Sequence, residues 1–252
     1  MSFLSRPLIR ATAVALMSIG LSACQTVSES PSDVPLEPQP QTQRGPEATW
    51  ALFSGAVERN RADVVSDLLK EGVTPNLFVN QGDPALVRAI RLENWDVVFV
   101  LMQAKDLDVA MRSELGEDAL MLAAFKGNEP LVVDLLKRGA PVQSPSGWTA
   151  LHYAATNGHV GLMRLLLSKG ADVNARTASG ITPLYMAARK PSRDAVLLLM
   201  RAGALRDICN DQNQSPADAA RKAGDLELAD YLAVPACASP EKVAKYLKSK
   251  QH

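Results

Sequence analysis

One pattern occurs twice, 33 positions apart, as Gly147-Trp148-Thr149-Ala150-Leu151-His152-Tyr153-Ala154-Ala155 and Gly180-Ile181-Thr182-Pro183-Leu184-Tyr185-Met186-Ala187-Ala188. In both copies threonine precedes a leucine and two alanines, and threonine is a favoured residue at the N-terminal cap of a helix. A third copy occupies residues 116–124. Weaker copies begin at Gly82 and Asn213, and one more surrounds Leu52. The pattern therefore predicts a series of similar helical units.

The spacing of the copies is nearly constant along the chain. The matching positions are separated by 34, 34, 31, 33 and 33 residues, and they are Leu52, Leu86, Leu120, Leu151, Leu184 and Ala217. A fixed period of this size is typical of stacked repeat units, which bury their apolar faces against one another because no unit can bury its own.

Each copy continues in the same way after its small pair. A turn leads to an aliphatic run such as residues 160–167, and that run ends near a glycine such as Gly170. Glycine is a common residue just beyond the end of a helix. We therefore expect each unit to contain a short helix, a tight turn, a longer helix and an extended loop.

These motifs resemble the ankyrin repeat. Residues 149–152 and 182–185 match the family's Thr-Pro-Leu-His, residues 157–159 match its inter-helix turn, and residues 170–174 match its closing loop. The resemblance covers roughly residues 49–233. It implies an all-α ankyrin-repeat solenoid of about six repeats, including two caps. The 82–109 copy lacks the Thr and His, and no glycine stands in residues 104–107, so we expect an irregular turn there.

The N-terminus is similar to the signal peptide of a bacterial lipoprotein. Arg6 and Arg10 precede an uncharged segment at residues 11–23, which is the arrangement of a secretory signal and is too short to span a bilayer. Leu21-Ser22-Ala23-Cys24 then resembles a lipobox, which implies lipidation of Cys24. Gln25, where enteric bacteria place Asp to retain a lipoprotein in the inner membrane, implies the outer membrane. The alternative is a buried N-terminal helix.

The sequence predicts four segments. A signal peptide covers residues 1–23, and the lipidated cysteine with a Pro/Gln-rich tether covers 24–48. The ankyrin-repeat domain spans 49–235. A C-terminal helix and tail follow at 236–252, where Ser239-Pro240-Glu241 is typical of a helix start.

No pattern in the chain predicts catalysis. The 27 basic and 27 acidic side chains balance, which argues against a nucleic-acid binder. Metal-ligand, phosphate-loop and nucleophile-elbow motifs are absent, and His152 and His159 stand where the family's ring bonds the backbone or a neighbouring Thr. We expect no enzyme, no metal, no cofactor and no small-molecule substrate.

Two cysteines besides Cys24 flank the last unit. Cys209 precedes the first helix of the last unit and Cys237 follows its second helix. Helices of a hairpin are antiparallel, so both cysteines should lie at one end of the unit. A disulfide and two unrelated thiols are both open readings.

The ankyrin resemblance also implies a binding surface. Partners of that family usually dock on the concave side, on loop tips and the exposed side of each first helix. By position, the candidate partner-binding residues are Arg88, Arg91, Leu122, Phe125, Trp148, Tyr153, Met186 and Arg189. An alternative for Leu122, Phe125 and Met186 is packing between adjacent repeats.

Three functions are compatible with the sequence. The first is a lipid-anchored, non-catalytic module that binds an unidentified protein in the bacterial envelope, as an inhibitor or a scaffold. Its membrane contact would be the N-terminal lipid, on the periplasmic face of the outer membrane. The second is a structural lipoprotein that bridges membrane and cell wall. The third is an enzyme with an unrecognised site.

Overall fold

The computed structural model describes residues 45–80 and 82–249. The predicted signal peptide, Cys24 and nearly all of the predicted tether lie outside these ranges. Within them the chain forms six consecutive helix pairs and a final helix. The first helix of each pair is called a first helix below, and the second is called a second helix.

The helix pairs follow the predicted period. The first helices are α1 (Pro46–Glu58), α3 (Ala85–Arg91), α5 (Ala119–Lys126), α7 (Ala150–Thr156), α9 (Pro183–Arg189) and α11 (Pro216–Lys222). The second helices are α2 (Ala62–Lys70), α4 (Trp95–Gln103), α6 (Glu129–Lys137), α8 (Val160–Ser168), α10 (Arg193–Arg201) and α12 (Leu226–Leu232). The predicted all-α solenoid of six units is confirmed.

Each first helix starts where the repeat pattern predicts. Thr182 caps α9, since its hydroxyl accepts the backbone N–H of Tyr185 at 3.2 Å. Ser215 caps α11 in the same way and forms a reciprocal capping box with Asp218. Such caps satisfy N–H groups that have no partner inside the helix.

The small pairs let the first helices pack side by side. Consecutive first helices are in contact along the array. The pairs Ala123-Ala124, Ala154-Ala155 and Ala187-Ala188 are completely buried. Leucines of the second helices, such as Leu135, Leu166 and Leu199, are equally buried and fill the space behind them. One continuous apolar core therefore runs through all six units.

The second unit departs from the pattern, as the sequence predicts. Its first helix follows a short antiparallel ladder of β1 (Phe78–Val79) and β2 (Asp83–Pro84), in which Phe78 lies opposite Pro84. Helix α4 ends in an extended Ala104 and not in a left-handed glycine. Arg138 of the next unit donates to the Ala104 carbonyl oxygen at 3.0 Å and holds this irregular turn.

The loops before the first helices approach one another closely, and Gly147 is the tightest point. Gly147 has φ +78°, and a Cβ there would clash with the backbone carbonyl of Arg176 in the next loop. Gly139 has a similar φ of +84°, but a Cβ there would meet nothing.

These two glycines provide a matched pair of substitutions. Gly139→Ala should lower the free energy of unfolding by about 1 kcal/mol, the cost of a left-handed alanine. Gly147→Ala should lower it by about 2 kcal/mol, because backbone overlap adds to that cost. Urea unfolding followed by circular dichroism measures both. Equal losses would mean that the loop containing Gly147 does not contact the loop containing Arg176 in solution.

The C-terminal segment returns to the loops of earlier units. A disulfide joins Cys209 to Cys237, with Sγ atoms 1.99 Å apart. Helix α13 (Pro240–Ser249) follows. Its Tyr246 hydroxyl donates to Asp172 at 3.1 Å and accepts the Asn174 amide at 2.8 Å. The helix is therefore tied both to the last unit and to the loop after α8.

Candidate protein-binding face

The first-helix face comprises the solvent-facing side chains of the first helices and the residues immediately before those helices. The predicted partner-binding residues do not share one environment on it. Leu122 and Met186 are only 4% and 6% exposed and belong to the apolar core. Both stand just before an alanine pair, where close packing of neighbouring first helices covers the side chain. Their burial supports the alternative reading of the sequence, in which both side chains pack between adjacent repeats.

Three aromatic side chains form a cluster at the middle of this face. The ring of Phe125 is 38% exposed and meets the ring of Tyr153 edge-to-face, with centroids 6.1 Å apart. Trp148 contacts Tyr153 from the other side at 5.8 Å. Tyr153 and Trp148 are half-buried and pack partly against the core. The cluster presents Phe125 as a fixed apolar surface, since its neighbours restrain the ring.

Arg88 and Arg91 lie beside this cluster, on α3, and both are engaged by carboxylates. Arg88 Nε lies 2.6 Å from Glu58 Oε1 on α1. Arg91 Nε lies 3.2 Å from Asp83 Oδ2, and its Nη2 lies 2.8 Å from Glu117 Oε2 of the next unit. These five residues are called the acid–arginine network below. Their side chains are mostly buried, so the pairs are less screened by solvent than ordinary surface pairs.

The network extends to the aromatic cluster through one hydroxyl. Tyr153 donates its phenolic hydrogen to Glu117 Oε1 at 2.7 Å. Burial, with the Glu117 hydrogen bond, raises the pKa of Tyr153, so the phenol remains a donor. The hydrogen bond from Arg88 lowers the pKa of Glu58 and keeps that group ionised. Polar side chains therefore link four first-helix units, from α1 to α7.

Glu58, Asp83 and Glu117 were not among the residues selected from the sequence. Aligning the units by their turns would have found two of them. The residue after each turn is Asp83, Glu117, Trp148, Ile181 and Gln214. Of this column, Trp148 alone was predicted as a partner contact.

At the far end of the face, formed by α9 and α11, cations replace the acid–arginine network. Arg189 is exposed at the end of α9, and Lys190 donates to the neutral Asn157 Oδ1 at 3.1 Å. Arg221, at the end of α11, pairs with Asp218 at 2.8 Å, and Lys222 beside it is exposed. Along the described part of the array, the face thus changes from a network of paired charges to four cations of which Arg221 alone has a carboxylate partner.

The described residues offer no arrangement typical of a metal or membrane-spanning site. None of their His, Cys, Asp and Glu side chains form a group of three that could hold a metal ion. No described helix is long and apolar enough to cross a membrane. His152 is fully buried and bonds Thr149 and the Ile181 carbonyl, as the repeat position predicts.

Asp118 caps α5 but is a poor fit to its position. It is 1% exposed, and its Oδ1 accepts the Met121 N–H at 2.9 Å. Its Oδ2 is buried without a hydrogen bond and lies 3.6 Å from Arg112 Nη2. Burial raises the pKa of Asp118. Thr149 and Thr182 occupy the same position in later units without such an orphan oxygen.

Asp118→Thr should therefore increase the free energy of unfolding at pH 7 by about 1 kcal/mol, because threonine keeps a cap and removes the orphan carboxylate oxygen. Because burial raises the pKa of Asp118 in the folded state, the side chain destabilises the fold less when it is protonated. The stability gained in Asp118→Thr should therefore shrink as the pH falls. Urea unfolding at pH 7 and pH 4 measures both effects. Asp118→Asn, which cannot ionise but keeps the shape, is the control. A loss of stability at pH 7 would show that the Arg112 interaction outweighs the burial cost.

Comparison with known proteins agrees with this architecture. A family model described as ankyrin repeats (3 copies) matches residues 97–177, and one described as ankyrin repeats (many copies) matches residues 159–200. The chain is 29% identical to human SH3 and multiple ankyrin repeat domains protein 2 over 77% of its own length, which is 10% of that protein. It is 30% identical to mouse B-cell lymphoma 3 protein homolog over 66% of its length and 38% of that protein. The chain thus spans much less than two thirds of either relative.

A solved structure supports the same fold. The crystal structure of an ankyrin repeat domain from Acinetobacter baumannii is 26% identical, with a TM-score of 0.60, and the match covers 71% of this chain and 95% of that one. Ankyrin repeats are typically non-catalytic protein-interaction modules. Six stacked helix pairs, the matched family models and this structural neighbour lead to one conclusion: the chain contains ankyrin repeats and has the ankyrin-repeat fold.

Proposed function

We propose that this protein is a lipid-anchored binding module of the bacterial envelope that holds a protein partner on its first-helix face. The observation that carries the proposal is the aromatic cluster, where Phe125 stays 38% exposed while its ring meets that of Tyr153, which in turn packs against Trp148. Exposed aromatic side chains with restrained rings are the usual anchors of protein interfaces.

The acid–arginine network prepares this face for binding. Its arginines already bond carboxylates of neighbouring units, so a partner does not have to order them. Ordering a long side chain on binding costs roughly 0.5–1.5 kcal/mol, and a preformed network avoids that cost. The network also fixes Tyr153, and through it the position of Phe125.

The envelope part of the proposal rests on the N-terminal sequence. The lipobox resemblance at Leu21-Ser22-Ala23-Cys24 supplies the lipid, and the proline-rich residues 25–44, which precede α1, supply a tether. Extended at ~3.1 Å per residue, such a tether reaches roughly 60 Å. The repeats would then meet a partner well away from the membrane surface.

Affinity purification from detergent-solubilised envelopes of the native host, followed by mass spectrometry, tests the binding face. One protein should be recovered at high stoichiometry with the wild type and lost with Phe125→Ser. Phe99→Ser is the matched control, since Phe99 is 67% exposed on the second helix α4. Equal recovery with both variants would contradict the face. Recovery of peptidoglycan and porins alone would favour the structural lipoprotein that bridges membrane and wall.

A separate experiment tests the anchor. Cells grown with an alkyne-tagged fatty acid should label the wild type, which should sediment with membranes. Cys24→Ser should lose the label and the sedimentation. Cys209→Ser, which removes a different cysteine, should keep both. Labelling of Cys24→Ser would overturn lipidation at this residue without affecting the binding face.

A further inference from the structure

Four cations at the far end of the first-helix face occupy equivalent positions in consecutive units. Arg189 and Arg221 follow the alanine pairs of α9 and α11, and Lys190 and Lys222 come next. The same two positions in α5 hold Phe125 and Lys126, and Lys126 is already paired with Glu93 at 2.6 Å. The positions after the small pairs thus change from apolar to cationic between α5 and α9.

Little negative charge neutralises this end of the face. Within the part of the chain that the structure describes, no carboxylate lies within ion-pair distance of Arg189, Lys190 or Lys222, and Arg221 pairs with Asp218. A cation at the end of a helix does stabilise the helix dipole. In the described part of the chain, helix α3 also has two basic residues in its last turn, but both are paired with carboxylates, unlike the cations at the end of α9.

The net charge of the array also changes along its length. Residues 45–188 hold 16 acidic and 13 basic side chains, while residues 189–235 hold seven of each. The net negative charge of the earlier units is therefore absent from the segment that carries these cations. Complementary charge increases the rate and specificity of association.

We propose that the partner presents an acidic, extended peptide segment to Arg189, Lys190, Arg221 and Lys222, which are called the cation ladder below. An apolar side chain next to that segment contacts Phe125. The inference rests on the proposed function and specifies the chemistry of the partner. Packed helices lie about 8–10 Å apart, and three residues of extended chain span about 10 Å. A segment crossing the first helices therefore advances three residues per unit.

This geometry defines a spacing for the partner sequence. Helix α9 is two units from α5 and α11 is three, because α5, α7, α9 and α11 pack in consecutive contact. The partner residue that contacts Phe125 should be apolar. Acidic residues should lie about six and nine positions from it, both on its N-terminal side or both on its C-terminal side. The carboxylates would then meet Arg189 with Lys190, and Arg221 with Lys222.

Selection from a phage-displayed library of random 16-residue peptides tests the proposal, with the purified full-length chain in detergent as bait. Enriched peptides should be acidic and should show the predicted spacing. The combined variant Arg189→Glu, Lys190→Glu and Lys222→Glu should weaken their binding at least tenfold at 50 mM salt. Arg164→Glu, Lys169→Glu and Arg201→Glu together change the net charge equally, on the exposed parts of the second-helix layer, and should leave binding within twofold. Circular dichroism checks that both variants are folded.

The other outcomes separate this inference from the proposed function. If the enriched peptides are neutral or basic and do not bind Phe125→Ser, the proposal of an acidic segment is overturned but the proposed binding face is retained. Acidic peptides that bind both charge variants equally would overturn the cation ladder. If no peptide is enriched, the proposal of a linear segment as the ligand is overturned. The purification from envelopes would still test whether the first-helix face binds a protein. Salt-sensitive dimers in analytical ultracentrifugation that only the first charge variant abolishes would make a second copy of the chain the occupant, and would equally overturn the proposal.

Discussion

Opening the bond between Cys209 and Cys237 is expected to lower the free energy of unfolding of the last repeat by about 3–4 kcal/mol. The bond closes a loop with a sequence separation of 28 residues, and the entropy that such a loop removes from the unfolded chain is worth about this much. The last repeat needs this contribution, since its first helix buries mainly small side chains such as Ala217 and Ala220. A solenoid unfolds by units, so we expect the loss to be local.

The measurement combines urea unfolding with hydrogen exchange read by mass spectrometry. In the double variant Cys209→Ser and Cys237→Ser, residues 205–249 should exchange faster and unfold in a separate early transition. Residues 116–189 should keep their protection. Dithiothreitol should reproduce the effect in the wild type and change nothing in the double variant. A single unchanged transition would show that the last repeat is stabilised by packing alone.

Acidification is expected to cost the protein about 3 kcal/mol through one buried ring. His152 is fully buried, and its Nδ1 accepts the Thr149 N–H at 3.2 Å while its Nε2–H donates to the Ile181 carbonyl at 3.1 Å. The backbone N–H can only donate, so the Thr149 hydroxyl, 2.9 Å from Nδ1, is the one group of that residue that could accept a second ring proton. Burial lowers the pKa of His152 from 6.5 to about 4, although Asp172 nearby acts in the opposite direction.

The sign follows from the pKa in the two states. Between pH 6.5 and 4 the unfolded chain binds a proton at His152 and the folded chain does not. The stability that the neutral ring provides is therefore complete above pH 6.5 and is lost as the pH falls towards 4. Each unit of pKa difference corresponds to about 1.4 kcal/mol.

Urea unfolding between pH 7.5 and 4 checks this expectation. The difference in unfolding free energy between the wild type and His152→Gln should shrink by about 3 kcal/mol over that interval, because glutamine does not ionise there. Leu151→Val, which weakens the same helix but keeps the imidazole, should retain the pH dependence of the wild type. Parallel curves for the wild type and His152→Gln would contradict the neutral buried ring.

The repeat pattern predicted the fold because its signals are local. Threonine at the start of α9, the alanine pairs and the glycines at the turns each act within a few residues, and the period then fixes how the units stack. The position of His152 in the motif predicted its structural role for the same reason. The irregular turn after α4 was also foreseen, since the chain has no glycine there.

The binding face was harder to predict because it depends on contacts between units. Leu122 and Phe125 are three residues apart on one helix, yet one is buried and the other is exposed. Composition does not separate them, since the difference lies in how closely the next first helix approaches. Arg91 was predicted as a contact for a protein partner, and its ion-pair partner Glu117 is 26 residues away in another unit.

The return of α13 gives the two ends of the array unequal resistance to a pulling load. Tyr246 reaches back to Asp172 across 74 positions, and the disulfide closes the same end. At the opposite end α1 begins at Pro46, and its N-cap residue, Gly45, provides no side-chain cap. Under tension applied through the N-terminus, the units should therefore unfold one after another from that end. The end held by α13 and the disulfide should stay folded, so the cations on α9 and α11 would keep their relative positions.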